Sequence, residues 1–115
     1  MHEVALAANI IEIASDAARK AGSSRVALVR LRVGRLTCTD ADSLRFAFEV
    51  SAVGTTAQGA GLDIETVPVT VTCSTCGKPG TPEDPLLLTC PHCDSPFVTV
   101  VTGRELVVTS IEVEQ

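Results

Sequence analysis

Apolar residues at the start of the chain recur at the spacing of an α-helix. The segment "VALAANIIEIASDAARKAG" carries four of them on one predicted face: Leu6, Ile10, Ile13 and Ala17, with Ala14 and Ala18 beside them. This spacing is typical of an amphipathic helix that packs one side against a core. Gly22 follows the last of them, as expected just after a helix end. We therefore predict a helix that begins at residue 3 or 4.

A strictly alternating pattern follows in "RVALVRLRV". A period of two is typical of a strand with one buried face. Arg30 and Arg32 would face solvent. The inward positions would be Ala27, Val29, Leu31 and Val33.

The segment "TDADSLRFAFEVSA" fits both periodicities. Alternation of Leu44, Phe46 and Phe48 suggests a strand, whereas an acidic start at Asp40 is typical of a helix N-terminus. Leu44 and Phe48 also share a helical face with Ala47. We predict a helix here.

Short β-type segments make up the second half of the chain. In "LDIETVPVTVT" the apolar phase slips at Pro68, and proline does not fit a central strand. The slip and the proline together predict that the chain leaves one sheet there and enters another unit. "FVTVVTG" and "RELVVTSIEVE" are further strands, and the last would return to the first sheet.

Two Cys-x-x-Cys pairs, Cys73/Cys76 and Cys90/Cys93, lie in "CSTCGKPGTPEDPLLLTCPHC". Each pair places two thiolates on one side of a tight turn, and two such turns complete the tetrahedral sulfur site that Zn²⁺ favours. A redox pair would need a βαβ context, which the pattern lacks, whereas iron fits the same spacing. Four protein ligands leave no open position, so we expect a structural zinc.

Three other residues bear on this region. Gly77 follows the first pair, where a left-handed backbone is often needed, and Asp94 takes that place after the second. His92 is expected to be an exposed turn residue or a group that supports the thiolates. The fifth cysteine, Cys38, is expected to be a buried or inert free thiol.

These patterns predict an α+β fold: a small mixed sheet with two helices, plus an inserted zinc-ribbon-like domain with four cysteine ligands. Residues 1–68 and 103–115 would form the α+β domain, and residues 69–102 the zinc-binding insert. The insert is too small to fold on an apolar core of its own, which fits a metal-stabilised unit.

Charge argues against nucleic acid as a partner. The net charge is −5, and residues 38–115 hold three basic and eleven acidic residues. Such a segment lacks the basic footprint that phosphate contacts need. The first twenty residues have no continuous apolar run of a signal peptide or membrane span. We expect a cytoplasmic protein without a membrane partner, whose cysteines are reduced.

The chain begins Met1-His2-Glu3, which suggests a second metal site. His2 is bulky, so the initiator methionine should be retained. The Met1 amine, the His2 backbone nitrogen and its imidazole Nδ1 can then chelate one ion, and a Glu3 nitrogen or carboxylate oxygen can complete the set. Such nitrogen-rich sites suit Ni²⁺ or Cu²⁺. The alternative is a terminal histidine without a role.

Several segments, taken in order, resemble one protein family. Besides Met1-His2-Glu3 and the cysteine pairs they are "VGRL" at 33–36, "SLRFAFE" at 43–49, "GAGLDIE" at 59–65 and "GRELVVTSIEVE" at 103–114. Together they resemble the HypA/HybF family of hydrogenase nickel-incorporation proteins over nearly the whole chain. Asp94 departs from the family pattern, in which glycine is frequent, but leaves the cysteines intact.

The resemblance implies a nickel metallochaperone, not an enzyme. Ni²⁺ would be a transient cargo delivered during [NiFe]-hydrogenase maturation, with the GTPase HypB and the hydrogenase large subunit as partners. Some members also serve urease, which adds urease maturation proteins as candidate partners. Carried over by position, His2 is the nickel ligand, with Glu3 and the Met1 amine beside it. The implied zinc ligands are Cys73, Cys76, Cys90 and Cys93.

Two other functions remain as alternatives. One is a zinc-ribbon module that binds a protein or a nucleic acid, and the other is a rubredoxin-like electron carrier with iron in the sulfur site. The acidic balance and the lack of Tyr and Trp weaken the nucleic-acid version. The oligomeric state is left open between monomer and homodimer.

Overall fold

The computed structural model describes residues 3–114, which form two helices, six strands and one turn of 3-10 helix. In chain order these are α1 (Glu3–Lys20), β1 (Val26–Gly34), the 3-10 turn Arg35–Thr37, α2 (Ala41–Ala52), β2 (Gly61–Val67), β3 (Thr70–Cys73), β4 (Pro79–Gly80), β5 (Val98–Thr102) and β6 (Leu106–Val113). The predicted α+β class is confirmed. Within the described range, neither helix is long and apolar enough to cross a bilayer.

Helix α1 is present as predicted, and its buried face coincides only in part with the predicted one. The residues buried on it are Ala7, Ile10, Ile11, Ala14 and Ala18. Ile13, which was expected to face the core, is 49% exposed. Alanines occur on several sides of this helix, so the apolar pattern is compatible with more than one face. Packing against α2 selects between them.

Helix α2 confirms the helical interpretation of its ambiguous segment. The Asp40 carboxylate accepts hydrogen bonds from the Ser43 hydroxyl at 2.6 Å and from the Ser43 backbone N–H at 3.1 Å. This N-cap satisfies a backbone donor that the first turn leaves free. The two bonds, the hydroxyl one above all, lower the pKa of Asp40. Leu44, Ala47 and Phe48 are buried on the inner side of the helix.

The strands form two three-stranded sheets, one in the order β2–β1–β6 and the other in the order β4–β3–β5. The chain therefore changes sheet between β2 and β3, where the phase slip at Pro68 predicted it. Strand β6 returns to the first sheet, as also predicted. Pairing with β1 is antiparallel, since the Gly34 N–H donates to the Glu105 carbonyl and the Glu114 N–H donates to the Arg25 carbonyl.

The central strand β1 follows the predicted alternation except at its beginning and at Arg32, which was expected to face solvent but is half-buried. Its buried side chains are Val26, Val29, Leu31 and Val33. Ala27, which was expected to face inward, is exposed, and Val26 is buried instead. Arg30 faces solvent, where its guanidinium contacts Glu112 of β6 at 2.5 Å and Asp63 of β2 at 3.8 Å.

The described chain divides into two compact units. The first runs through Leu31, includes Thr39–Glu65 and resumes at Val107; it contains both helices. The second comprises Arg32–Cys38 and Thr66–Leu106 and contains the β4–β3–β5 sheet with the paired cysteines. The domain division predicted from the sequence, with boundaries near residues 68 and 103, stays a prediction.

A close backbone approach within the second unit requires glycine. A Cβ on Gly34 would lie 2.1 Å from the carbonyl oxygen of Gly103. The Leu36 N–H donates to that same carbonyl at 2.9 Å, which holds the two segments together. The φ of Gly34 is an ordinary −76°, so the requirement is steric and not conformational.

Candidate metal centre

The four paired cysteines converge on one point in the second unit. Their sulfur atoms all lie within 4.8 Å of one another. The Cys73 and Cys93 sulfurs are 3.7 Å apart, and the Cys76 and Cys90 sulfurs are 3.6 Å apart. A tetrahedral ion with metal–sulfur bonds of about 2.3 Å needs sulfur–sulfur edges of about 3.8 Å. Two of the sulfur–sulfur distances match this edge and all six lie within 4.8 Å, so the cluster fits one tetrahedral ion.

The first cysteine turn directs backbone N–H groups at a sulfur atom. The Cys73 Sγ accepts from the N–H of Thr75 at 3.3 Å and from the N–H of Cys76 at 3.4 Å. The Gly77 N–H donates to the Cys73 carbonyl at 2.9 Å and closes the turn. Gly77 has a φ of 75°, the left-handed conformation anticipated for it. Such donors stabilise a thiolate, the form of cysteine that binds metal.

The second turn repeats this arrangement. The Cys90 Sγ accepts from the N–H of His92 at 3.4 Å, and the Asp94 N–H donates to the Cys90 carbonyl at 2.9 Å. Asp94 has a φ of 62° and so takes the conformation that Gly77 takes in the first turn. Aspartate enters this region more easily than most residues, and the departure from the family pattern leaves the turn intact.

The small sheet holds the two turns in place. Cys73 is the last residue of β3 and pairs with Val98 of β5. Beyond the strand, the Ser74 N–H donates to the Phe97 carbonyl at 2.9 Å. The hydroxyls of Thr75 and Ser95 are 2.8 Å apart and connect the turns directly. Backbone pairing with β5 therefore places the first turn, and the hydroxyl contact joins the second turn to it.

Backbone donors, loss of hydration and neighbouring sulfurs move the pKa values of Cys73 and Cys93 in opposite directions. The N–H of Cys76, followed by that of Thr75, lowers the pKa of Cys73 to about 6. The Ser95 N–H acts in the same direction on Cys93, but loss of hydration and the neighbouring sulfurs outweigh it and raise the pKa of Cys93 to about 12. Four sulfurs this close do not all ionise unless a cation neutralises them. The donor set and its spacing fit a zinc ion with a structural role.

His92 and Cys38 are not members of the four-sulfur cluster. The His92 Nε2 lies 3.0 Å from the Pro79 carbonyl oxygen of β4, and the residue is exposed, as predicted. A Cβ on Gly80 would lie 2.5 Å from Pro91 Cγ, so this turn packs tightly against β4. Cys38 is exposed, so the buried alternative of its prediction is wrong, whereas the alternative of an inert free thiol stays a prediction. It ends the 3-10 turn with a φ of 56°.

Of the three predicted nickel-site residues, Met1 and His2 lie outside the described residues. Glu3 is the first residue of α1, and its Oε2 accepts the backbone N–H of Asp40 at 3.3 Å. The start of α1 and the N-cap of α2 are thus neighbours in the first unit. They are 37 positions apart in the chain, and no local pattern pointed to this contact.

Comparison with known proteins places the chain among nickel-incorporation factors. Residues 1–113 match the family described as HypA, hydrogenase/urease nickel incorporation, metallochaperone. The chain is 48% identical over 112 residues to the hydrogenase maturation factor HypA of Chloroflexus aurantiacus, covering 97% of this chain and 98% of that protein. It is 39% identical over 115 residues to the hydrogenase maturation factor HypA of Chlorobium limicola, covering 100% of this chain and 98% of that protein.

Two solved structures share the fold. A solution structure of HypA protein has a TM-score of 0.71 at 24% identity and covers 99% of this chain and 97% of its own. A solution structure of the Ni metallochaperone HypA from Helicobacter pylori has a TM-score of 0.65 at 24% identity, with coverage of 98% and 97%.

Proposed function

Since the chain belongs to the HypA family of hydrogenase/urease nickel-incorporation metallochaperones, we propose that it carries Ni²⁺ at its N-terminus and delivers it during [NiFe]-hydrogenase maturation. The observation that carries the proposal is the family match, which extends from residue 1 through both units. Its role is to bind and transfer an ion, not to convert a substrate.

The four-cysteine site has the chemistry of a fixed structural centre, not of a carrier. Cys73, Cys76, Cys90 and Cys93 would fill all four positions of a zinc ion. An ion enclosed in this way exchanges slowly and has no vacant position for a recipient ligand. Its binding energy would instead stabilise the fold of the small sheet.

The N-terminus has the chemistry of a carrier. The Met1 amine, the His2 backbone nitrogen and its imidazole form a nitrogen-rich chelate of the kind that Ni²⁺ accepts. Glu3 would place a carboxylate beside it, anchored by the Asp40 N–H. A site with few ligands at a chain end can bind an ion and still give it to a partner with more ligands.

Delivery requires partners and a compartment. We propose the maturation GTPase HypB and the nickel-free large subunit of a [NiFe]-hydrogenase as partners, with urease maturation proteins as further candidates. Five cysteines present as thiols fit the reducing conditions of the cytoplasm.

A metal titration on three proteins tests the nickel site: the native chain, His2→Ala, and the native chain with a few residues fused before Met1. The native chain should bind one Ni²⁺, and both altered proteins should lose stoichiometric binding while each retains one zinc. Normal nickel binding by the fused protein would show that the amine is not a ligand.

A further inference from the structure

An open apolar groove begins at the N-terminal end of α1. It has a volume of about 530 Å³, and α1 contributes Glu3 and Val4 to its lining. The rest of the lining comes from α2: Asp42, Ser43, Phe46, Ala47, Val50 and Ser51. The groove therefore lies within the first unit and reaches the residue that follows His2.

The apolar side chains along this groove stand unusually far into solvent. Val4 is 70% exposed, Phe46 is 68% exposed and Val50 is 58% exposed. Phe46 and Val50 are one helical turn apart on α2 and form a continuous strip. A contiguous exposed apolar surface is typical of a site that binds another molecule.

The open form of the groove favours a protein segment over a small molecule. Small-ligand pockets enclose most of their ligand, whereas side chains exposed to this extent can only cover one side of what they bind. Two helices with an apolar strip between them are the usual receptor for an amphipathic segment. Phenylalanine is also among the residues enriched in protein interfaces.

Charge at the rim restricts the chemistry of that segment. Glu3 and Asp42 are acidic, and none of the described residues that line the groove is basic. The Asp42 side chain is 96% exposed, and its Oδ1 lies 3.7 Å from the Arg45 guanidinium. It can therefore take a second cation from a partner. Complementary charge of this kind speeds encounter and sets the orientation of docking.

We infer that this groove docks an apolar segment of the nickel-receiving protein, with a lysine or arginine of that segment beside Asp42. The inference rests on the proposed function, because docking here would bring the recipient to Glu3 and so to the proposed nickel ligands. A chelate of few ligands releases its ion best when the acceptor ligands are already adjacent.

The test uses the zinc-loaded full chain and the nickel-free large subunit of a [NiFe]-hydrogenase as the probe. Phe46→Glu should weaken binding to this probe about 30-fold, as expected when an interface anchor is removed. Phe97→Glu is the matched control, because Phe97 is 70% exposed but lies in the other unit. It should bind the probe as the native chain does. Asp42→Lys should also weaken binding, and added salt should weaken the native complex.

Nickel titration distinguishes a failure of the docking inference from a failure of the proposed nickel function. Phe46→Glu should bind one Ni²⁺ as tightly as the native chain, while its delivery to the probe is lost. If the native chain itself binds no nickel, the proposed function fails, and docking is judged by the probe alone.

Three results would overturn the inference. They are undiminished binding of the probe by Phe46→Glu, an equal loss with Phe97→Glu, and no binding of the probe by the native chain. Sedimentation adds a fourth: a native dimer that Phe46→Glu converts to a monomer would show that the groove is occupied by a second copy of this chain.

Discussion

Gly77 and Asp94 occupy the same position in the two cysteine turns, each four residues after the first cysteine of its pair, and both have a left-handed backbone. Their φ angles are 75° and 62°. The metal centre is thus built from two copies of one backbone turn, although only one copy has the residue that enters this conformation without strain.

The two turns should respond differently to substitution. Gly77→Ala should destabilise the zinc-loaded protein by about 1 kcal/mol, because a Cβ is unfavourable at positive φ. Apart from its two chain neighbours, no described residue has an atom within 4 Å of that Cβ, so the penalty is conformational. Asp94→Gly should change stability by less than about 0.5 kcal/mol, since relief of strain offsets the greater freedom of the unfolded chain. Thermal unfolding measures both changes. An Asp94→Gly loss as large as that of Gly77→Ala would contradict the view that both positions need a left-handed backbone.

Loss of the metal should unfold the second unit and spare the helices. We expect Cys90→Ser, or chelation of the native chain, to release zinc and abolish amide dispersion from β3 and β5. Within the three strands of that sheet, Val71 and Cys73 are the only buried residues, so its apolar core is small. The helical circular dichroism should persist, since α1 and α2 pack on each other. Cys38→Ser is the control and should retain one zinc. Collapse of the helical signal together with zinc release would refute this view.

Gly34→Ala should be strongly destabilising for a purely steric reason. The new Cβ would meet the Gly103 carbonyl at 2.1 Å, and relief requires the backbone to move. Overpacking of this type is unfavourable by about 2 kcal/mol. Gly61→Ala is the comparison, because its nearest neighbour is the flexible Leu28 Cδ1 at 3.1 Å. Urea unfolding should show a clearly larger loss for Gly34→Ala, and similar losses would argue against the close approach.

Nickel affinity should fall as the solution is acidified. An imidazole has an ordinary pKa of about 6.5, and the proposed chelate needs deprotonated ligands. Protonation of the imidazole alone should lower the affinity about fourfold between about pH 7.5 and about pH 6, and protonation of the Met1 amine, whose ordinary pKa is about 8, should lower it further. Calorimetric titration measures this change. The chain has only two histidines, so His92→Ala is an informative control that should keep the dependence. If the pH dependence disappears in His92→Ala, the titrating group is His92 and not His2, which contradicts the prediction.

Much of the fold followed from local patterns. The helical period, the alternation in β1 and the phase slip at Pro68 depend on neighbouring residues, and the structure confirms the elements they predicted. The errors lie where local patterns are silent. Ile13 and Ala27 face solvent, contrary to the prediction. The prediction failed because the sequence of an alanine-rich helix or of a strand's first residues does not specify which side meets the core. Cys38 is exposed, and its sequence context could not show this because a lone cysteine has no periodic pattern around it.

The sequence by itself determined the type of each element, the donor atoms of the sulfur site and the family. These properties depend on short-range periodicity and on residue chemistry. Only the tertiary structure decided that Asp40 holds Glu3, that two cysteine turns bring four sulfurs within 4.8 Å, and that Phe46 and Val4 line one groove. Such contacts join residues far apart in the chain, and their partners are selected by packing, which no single segment encodes.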